Sequence, residues 1–250
     1  MVWRSEHDHK SLIDGVTNGN GVRGGTVATE SPFGTDDPAR FGTQAFYAAL
    51  GRAFVAMCAV VPVLAFIEFI DQRLDGRLDA VAGIRPRAIS GIDGILLAPL
   101  VHDGFAHLLA NSAPLILLGT FVLASGTRRF LLATLVIAVF SGLGVWFLTP
   151  TNYLVIGASG IIFGWLGFLL MRGIVERSLW NFAVALIVGL LYGWQLVALL
   201  PTDQRVSWQG HLFGFVGGLA AAILFRRRRE PTAVPASPAP QTYGTADPTS

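Results

Sequence analysis

The sequence predicts an all-α membrane protein built from six transmembrane helices. Of its 250 residues, 52% are hydrophobic and 14% are charged, whereas an average soluble domain carries about 25% charged residues. The apolar residues also form long blocks, because residues 130–171, 178–202 and 206–225 contain no Asp, Glu, Lys or Arg. A helix that spans a bilayer needs about 20 mostly apolar residues, so the first block alone is long enough for two spans.

The same composition excludes several other classes of protein. A soluble enzyme of this size would need a charged surface, and a disordered chain would contain fewer apolar residues. The chain has a single cysteine, Cys58, which excludes a secreted disulfide scaffold. The net charge is only +2, and no basic stripe with interleaved aromatic residues is present, so nucleic acid is not expected as a partner.

The predicted spans lie between two polar tails. We expect a flexible N-terminal tail over residues 1–46, a membrane domain over 47–226, and a disordered Pro-rich C-terminal tail over 227–250. The spans are predicted at 47–70, 105–125, 130–148, 154–171, 179–200 and 206–225. A long loop, 71–94, separates the first two spans, and long loops are often functional.

The placement of arginine predicts the orientation. Six spans put both termini on the same side of the membrane, and arginine is enriched in the short loops on the cytoplasmic side. A cytoplasmic N-terminus puts eight arginines inside and five outside, so we expect cytoplasmic termini in a multi-pass protein of the cell membrane. The inner arginines are Arg128, Arg129, Arg172, Arg177 and those at 226–229, and the outer ones are Arg73, Arg77, Arg85, Arg87 and Arg205.

Polar residues enter the spans at three places. His102, His107 and Asn111 lead into span two, Gly-Ala-Ser-Gly at 157–160 lies early in span four, and His211 lies early in span six. Polar side chains inside a membrane are costly and indicate a functional site. Spans two, four and six run in the same direction, so a rise of about 1.5 Å per residue puts all three groups at a similar depth, below the outer face.

Glycines four residues apart lie beside Ser159 and His211, and this spacing lets two helix backbones approach closely in lipid. They are Gly160 and Gly164 in span four, and Gly210, Gly214 and Gly218 in span six. Gly214 and Gly218 share the helix face of His211. Taken alone, these glycines indicate only helix packing, but close contact between the two spans would also bring the Ser159 hydroxyl within reach of His211.

These residue types match the parts that nucleophilic catalysis requires. A serine hydroxyl needs a base, and histidine is suited to that role near neutral pH. The tetrahedral intermediate needs hydrogen-bond donors, and His107 and Asn111, four residues apart on one helical face, can both donate. The backbone N–H of Ser159, near a helix start, is a third candidate donor.

Each group has an alternative interpretation when it is taken alone. Gly-x-Ser-Gly is common in membrane helices that merely pack, and a histidine in a membrane can be a proton relay or an ion ligand. His102 and His107 could be metal ligands, but five residues apart they do not share a helical face, and no third ligand group is evident. Neither a metal nor a cofactor is therefore expected.

The combined pattern resembles the rhomboid family of intramembrane serine proteases. The resemblance is carried by His-x4-His-x3-Asn at 102–111, Gly-x-Ser-Gly at 157–160 and Gly-His at 210–211, and it extends over about residues 47–226. It implies a six-helix bundle with a water-filled cavity that opens to one face. One departure is the first long loop, where some bacterial members carry Trp-Arg and this chain has Ile-Arg-Pro-Arg at 84–87.

The resemblance implies a role for each candidate residue. Ser159 would be the nucleophile and His211 the general base of a dyad without an aspartate, and His107 and Asn111 would form the oxyanion site. His102 would have a more structural role, and Phe163 would pack against the base. Gly157, Gly160 and Gly214 are expected as structural support.

We therefore expect a serine endopeptidase that hydrolyses peptide bonds within or next to transmembrane helices of membrane-protein substrates, with those substrates and the lipid bilayer as its partners. Two other functions compete with this interpretation. A rhomboid-like protein could bind client helices without cleaving them, and a transporter could use the histidines. A transporter would have broken spans in matched repeats, and the sequence has none.

Overall fold

The computed structural model describes residues 41–201 and 206–227, and these are mostly helical. The predicted tails lie outside the described residues, apart from residues 41–46 and 227. The helices are α1 (Gln44–Arg73), α2 (Arg77–Ala82), α3 (Gly94–Leu97), α4 (Gly104–Leu123), α5 (Thr127–Leu148), α6 (Ser159–Val175), α7 (Leu179–Tyr192) and α8 (Trp208–Leu224). Short 3₁₀ turns cover Ile89–Gly91 and Ala98–Leu100, and a longer one, Gly193–Leu199, continues α7.

Four of the described helices are long and apolar enough to cross a membrane: α1, α4, α5, and α7 together with its 3₁₀ extension. Helices α6 and α8 are apolar but shorter, at 17 residues each. Many large apolar side chains of α1 and α7 are exposed, as expected for helices that face lipid. The predicted class, a helical multi-pass membrane protein, is confirmed, while the count of six spans stays a prediction.

Helix α1 begins earlier than predicted. The side chain of Thr43 accepts a hydrogen bond from the backbone N–H of Phe46 at 3.1 Å, which is the usual way for a threonine to cap a helix. The helix therefore starts at Gln44 rather than at residue 47, and it runs on to Arg73 rather than ending at residue 70. Hydropathy alone located the apolar centre of this helix but not its polar ends.

The long predicted loop is ordered by local helices and by contacts with its neighbours. It contains α2, a 3₁₀ turn and the start of α3. The backbone of Ile84 forms an antiparallel bridge with Val155, with N–O distances of 2.9 and 3.1 Å. The Arg87 guanidinium donates to the carbonyl oxygen of Thr149 at 3.0 Å, and the Trp146 indole donates to that of Ala88 at 3.1 Å. The loop is thus attached to the segment that precedes Ser159.

The predicted start of span four is wrong. Residues 154–158 are not helical, because Val155 pairs with Ile84 and Gly157 has a φ of +106°, in the left-handed region that favours glycine. The helix begins at Ser159 and extends to Val175, past the predicted end at residue 171. Ser159 therefore lies at the N-terminus of its helix rather than one turn inside it.

Helix α6 is the centre of the bundle. It packs against α4, α5, α7 and α8, and its Leu166, Phe168 and Leu169 side chains are almost completely buried. The closest neighbour is α8, where a Cβ added to Gly218 would collide with the carbonyl oxygen of Gly164. This absence of side chains lets the two backbones touch, and that contact sets the positions of the residues at their N-terminal ends.

Candidate active site

Ser159 and His211 form a hydrogen-bonded pair at the N-terminal ends of α6 and α8. The Ser159 hydroxyl lies 2.8 Å from Nε2 of His211. Nδ1 of the same ring lies 3.2 Å from the carbonyl oxygen of Ala198, which can only accept. The proton of a neutral ring is therefore held on Nδ1, and Nε2 is left to accept from the serine. This is the tautomer that a general base requires.

The Ala198 carbonyl is available because of the local backbone. It lies in the 3₁₀ segment Gly193–Leu199, near the point where the helical hydrogen-bond ladder ends. This carbonyl orients His211 much as an aspartate orients the histidine of a catalytic triad. No sequence signal could have found it, since every residue type at position 198 supplies the same backbone carbonyl.

Close packing of α6 and α8 holds the pair together. A Cβ added to Gly214 would collide with the carbonyl oxygen of Gly160. The hydroxyl of Ser141, on α5, donates to the carbonyl oxygen of Gly210 at 2.8 Å and fixes α8 from the other side. Ser141 is not among the residues predicted from the sequence, although a polar residue in the middle of a charge-free block was an available signal.

Phe163 restrains the His211 ring. The two rings are stacked, with centroids 4.2 Å apart and planes 20° from parallel. Both side chains are buried, with 5% of each residue exposed. Phe163 lies one turn after Ser159 on the same helix. Helix α6 therefore carries both the serine and the ring against which His211 packs.

His107 lies against the backbone that leads into Ser159. A Cβ added to Gly157 would come within 2.6 Å of Cε1 of the His107 ring, so glycine is required there both for this approach and for its positive φ. Gly157 also donates from its N–H to the carbonyl oxygen of Ala98 at 2.9 Å. The turn of the chain before the serine is therefore held by α4 and by the loop before it.

Asn111 and His102 are buried with free hydrogen-bonding atoms. Asn111 is 7% exposed, and within the described part of the chain its Nδ2 group has no hydrogen-bond partner. His102 is 1% exposed, neither of its ring nitrogens has a partner among the same residues, and its ring packs edge-on against His107 with centroids 5.2 Å apart. Buried polar atoms without a partner are costly, so these atoms are available to a water molecule or a bound ligand.

A cleft reaches the serine–histidine pair. Its walls include Ser159, His211 and Ser141 from the helices, Ser207 directly before α8, and Ile84 and Pro99 from the loop before α4. His107 and Asn111 are not part of its walls. The structure therefore brings together Ser159, His211, Phe163 and the glycines, and it places His107 against Gly157. Asn111, by contrast, lies outside the walls of the cleft.

A group of acidic residues lies at the end of α1, in the loop that follows it and directly before α4, and two of them, Glu68 and Asp103, act on His107 through their charges. Glu68 is 2% exposed, and its Oε1 accepts from the Gln72 amide at 2.9 Å. Burial, followed by the charges of Asp71, Glu68 and Asp103, raises the pKa of Asp79 to about 7. Across residues 41–201 and 206–227, no three His, Cys, Asp or Glu side chains are grouped as metal ligands.

Comparison with known proteins relates the chain to a single family. A family model described as the Rhomboid domain matches residues 92–228, which leaves α1 outside the match. An uncharacterized protein of Mycobacterium tuberculosis is 43% identical over 174 residues, covering 66% of this chain and 71% of that protein. The putative rhomboid protease YdcA of Bacillus subtilis is 30% identical over 161 residues, covering 61% of this chain and 77% of its own length. The rhomboid protease GluP of the same species is 34% identical over 135 residues, covering 51% of this chain and 25% of its own.

Proposed function

The chain belongs to the rhomboid family, and we propose that it is an intramembrane serine endopeptidase with Ser159 as its nucleophile and His211 as its general base. The observation that carries this proposal is the 2.8 Å hydrogen bond between the Ser159 hydroxyl and Nε2 of His211. A serine next to a correctly oriented base is the arrangement from which covalent catalysis begins. Two relatives that are named as rhomboid proteases support the same activity.

The proposed reaction has two halves. In the first, His211 takes the hydroxyl proton as Ser159 Oγ attacks the peptide carbonyl, and the ring then gives that proton to the leaving amine. The serine is left as an ester of the N-terminal fragment. In the second half, water loses a proton to His211 and attacks the ester, and the proton returns to Ser159 as the acid product leaves.

We propose that His107 and Asn111 stabilise the oxyanion of both intermediates. The buried Nδ2 group of Asn111 has no hydrogen-bond partner among the described residues, so it can donate to a substrate without breaking an existing bond. The backbone N–H of Ser159 is a third donor, because the first residues of a helix have free N–H groups. Such donors account for much of the rate in acyl transfer.

The proposed substrates are membrane proteins cleaved within or next to a transmembrane helix. The cleft begins at the N-terminal ends of α6 and α8, so a peptide must enter it near a membrane face. A helical substrate must unwind locally to present its carbonyl, and glycine or another poor helix former next to the scissile bond lowers the cost of unwinding. No cofactor is needed for this chemistry.

We also propose that α6 and α8 cross the membrane, which makes six spans with both termini in the cytoplasm. At 17 residues each, the two helices are at the short end of the range for a spanning helix. Reporter fusions after Arg129 and Arg177 should report a cytoplasmic location, and a fusion after Asp203 should report an external one. A cytoplasmic signal at Asp203 would contradict this topology.

Labelling with a serine-reactive fluorophosphonate tests the proposed function. The purified wild-type protein should be labelled, and Ser159→Ala should abolish labelling. The matched control is Ser90→Ala, which removes an exposed serine from the loop before α3 and should leave labelling intact. A wild-type protein that is folded but not labelled would contradict the protease proposal and favour a rhomboid-like protein that only binds client helices.

A further inference from the structure

A second polar cluster lies at the end of the bundle opposite Ser159, and all of its members except the exposed Arg227 are at least partly buried. We call it the arginine cluster, and it consists of Arg129, Arg172, Glu176 and Arg227. Arg172 is near the end of α6 and Arg227 follows the end of α8, whereas Ser159 and His211 are at the starts of these helices. A helix of 17 residues is about 25 Å long, so the two sites are separated by most of the bundle.

The carboxylate of this cluster is fully satisfied. Glu176 forms an ion pair with the Nη2 group of Arg129 through Oε1 and accepts from Nε of Arg172 at 2.8 Å through Oε2. The Asn181 side chain donates to Oε2 at 2.7 Å, and the backbone N–H of Arg227 donates to Oε1 at 3.3 Å. Four donors therefore meet one carboxylate, which leaves Glu176 with no need of a further donor.

The arginines outnumber their counter-charge. The charges that act on Arg172 are those of Glu176, Arg129 and Arg227, so one carboxylate faces three guanidinium groups. Arg129 is 9% exposed, and Nε and Nη1 of its guanidinium have no partner among residues 41–201 and 206–227. Buried cationic donors without an acceptor are costly. Arg129 does not line the cleft described below, but its charge adds to the positive excess that Glu176 leaves beside Arg172 and Arg227.

A cleft opens beside the cluster, and it is amphipathic. Its polar end is formed by Arg172, Arg227 and Ser125, whose carbonyl oxygen accepts from the Arg227 guanidinium at 3.0 Å. Its apolar wall includes Phe46, Leu50 and Trp180, which belong to α1 and α7. Phe46 and Trp180 pack edge to face with centroids 5.1 Å apart. Two cationic groups at one end and aromatic rings along the side match a molecule with an anionic head and an apolar tail.

We propose that this cleft binds a phosphate group, supplied by the headgroup of an anionic phospholipid. Guanidinium groups bind phosphate through two parallel hydrogen bonds, and basic pockets between transmembrane helices are suited to lipid headgroups. The phosphate lies between Arg172 and Arg227, and an acyl chain runs along Phe46 and Trp180. Soluble phosphate shares this chemistry, but it would not use the apolar wall.

Thermal unfolding of the purified full-length protein in detergent micelles tests the proposal. Phosphatidylglycerol should raise the Tm saturably, while phosphatidylcholine and inorganic phosphate should not. Arg227→Ala should weaken the apparent affinity for phosphatidylglycerol by about tenfold or more, which is the loss expected for charge-assisted hydrogen bonds. The matched control is Arg226→Ala, an exposed neighbour that is not among the residues lining the cleft, and it should retain the wild-type affinity.

Arg227→Ala is expected to fold, because Glu176 contacts only the backbone of Arg227. A second measurement uses phosphatidylglycerol with brominated acyl chains, which quench nearby tryptophan fluorescence. This lipid should quench the wild-type protein more than Trp180→Phe, because Trp180 lines the apolar wall of the cleft. Equal Tm shifts with phosphatidylglycerol and phosphatidylcholine, or equal losses in the Arg226 and Arg227 variants, would overturn the proposal. A full shift with inorganic phosphate alone would overturn the lipid as the source.

Discussion

The two ends of the α6–α8 pair are built from opposite kinds of side chain. At the N-terminal end, Ser159 and His211 are held by glycine contacts and a stacked ring. At the C-terminal end, charged groups converge on Glu176, whose carboxylate accepts four hydrogen bonds. One helix pair therefore carries a site with free donors at one end and a saturated carboxylate at the other.

Helix dipoles explain why each kind of side chain lies at its own end. The N-terminus of a helix has a partial positive charge and free N–H groups, so it stabilises a developing oxyanion. The C-terminus has a partial negative charge, and this favours cations such as Arg172 and Arg227. The two ends therefore differ in how their residues are held, because backbone packing and a ring stack position Ser159 and His211, whereas donors to one carboxylate hold the opposite end together.

Loss of either member of the pair should have the largest effect. Ser159→Ala and His211→Ala should each reduce cleavage of a transmembrane reporter substrate in proteoliposomes by about 10⁴-fold or more, and the double variant should be no worse, because members of a catalytic unit are not additive. Glu176→Gln is the matched change at the opposite end. It should lower thermal stability but leave the turnover of the folded protein unchanged. Cleavage by Ser159→Ala at the wild-type rate would contradict the assignment.

A larger side chain at the glycine contact should reduce cleavage by increasing the distance between Ser159 and His211. Gly214→Val would push α8 away from the Gly160 carbonyl, and a displacement of about 1 Å can cost about 100-fold. The matched control is Gly51→Val on α1, because a Cβ at that position has nothing within 4 Å. Turnover per folded molecule is the measurement, with membrane insertion checked separately. Normal cleavage by Gly214→Val would show that this contact does not position the pair.

The oxyanion prediction is smaller and more selective. Asn111→Ala should reduce turnover by about 10- to 1000-fold, which is the range for loss of one such donor. It should not abolish fluorophosphonate labelling, since Ser159 and His211 remain. Asn152→Ala removes an exposed asparagine from the loop before Ser159 and serves as the control. Unchanged turnover in Asn111→Ala would mean that this side chain only packs between helices.

Much of the fold could be predicted from the sequence, because apolar blocks and their glycine spacing are local signals. The contact of α6 with α8 and the approach of Ser159 to His211 both follow from such spacing. Three features could not be predicted, because they depend on distant backbone. These are the Ala198 carbonyl behind His211, the bridge between Ile84 and Val155 that delays the start of α6, and the convergence of three arginines on Glu176.

The smallest predicted effect concerns Asp79, which lies in α2 within the long loop that is attached to the segment before Ser159. Burial, with the charges of Asp71, Glu68 and Asp103, raises the pKa of Asp79 from 3.8 to about 7. A carboxyl whose pKa is raised on folding stabilises the protein fully below its unfolded pKa, and it loses that contribution as the pH rises through its folded pKa. The free energy of unfolding should therefore fall between about pH 4 and pH 7, because the carboxyl must ionise beside three other acids.

Asp79→Asn should flatten this fall, measured as Tm against pH. Asp75→Asn, at an exposed position between α1 and α2, should retain it. An equal slope in Asp79→Asn and the wild-type protein would mean that folding does not raise the pKa of Asp79, and the comparison between the two ends of the bundle would then not extend to the loop before α4.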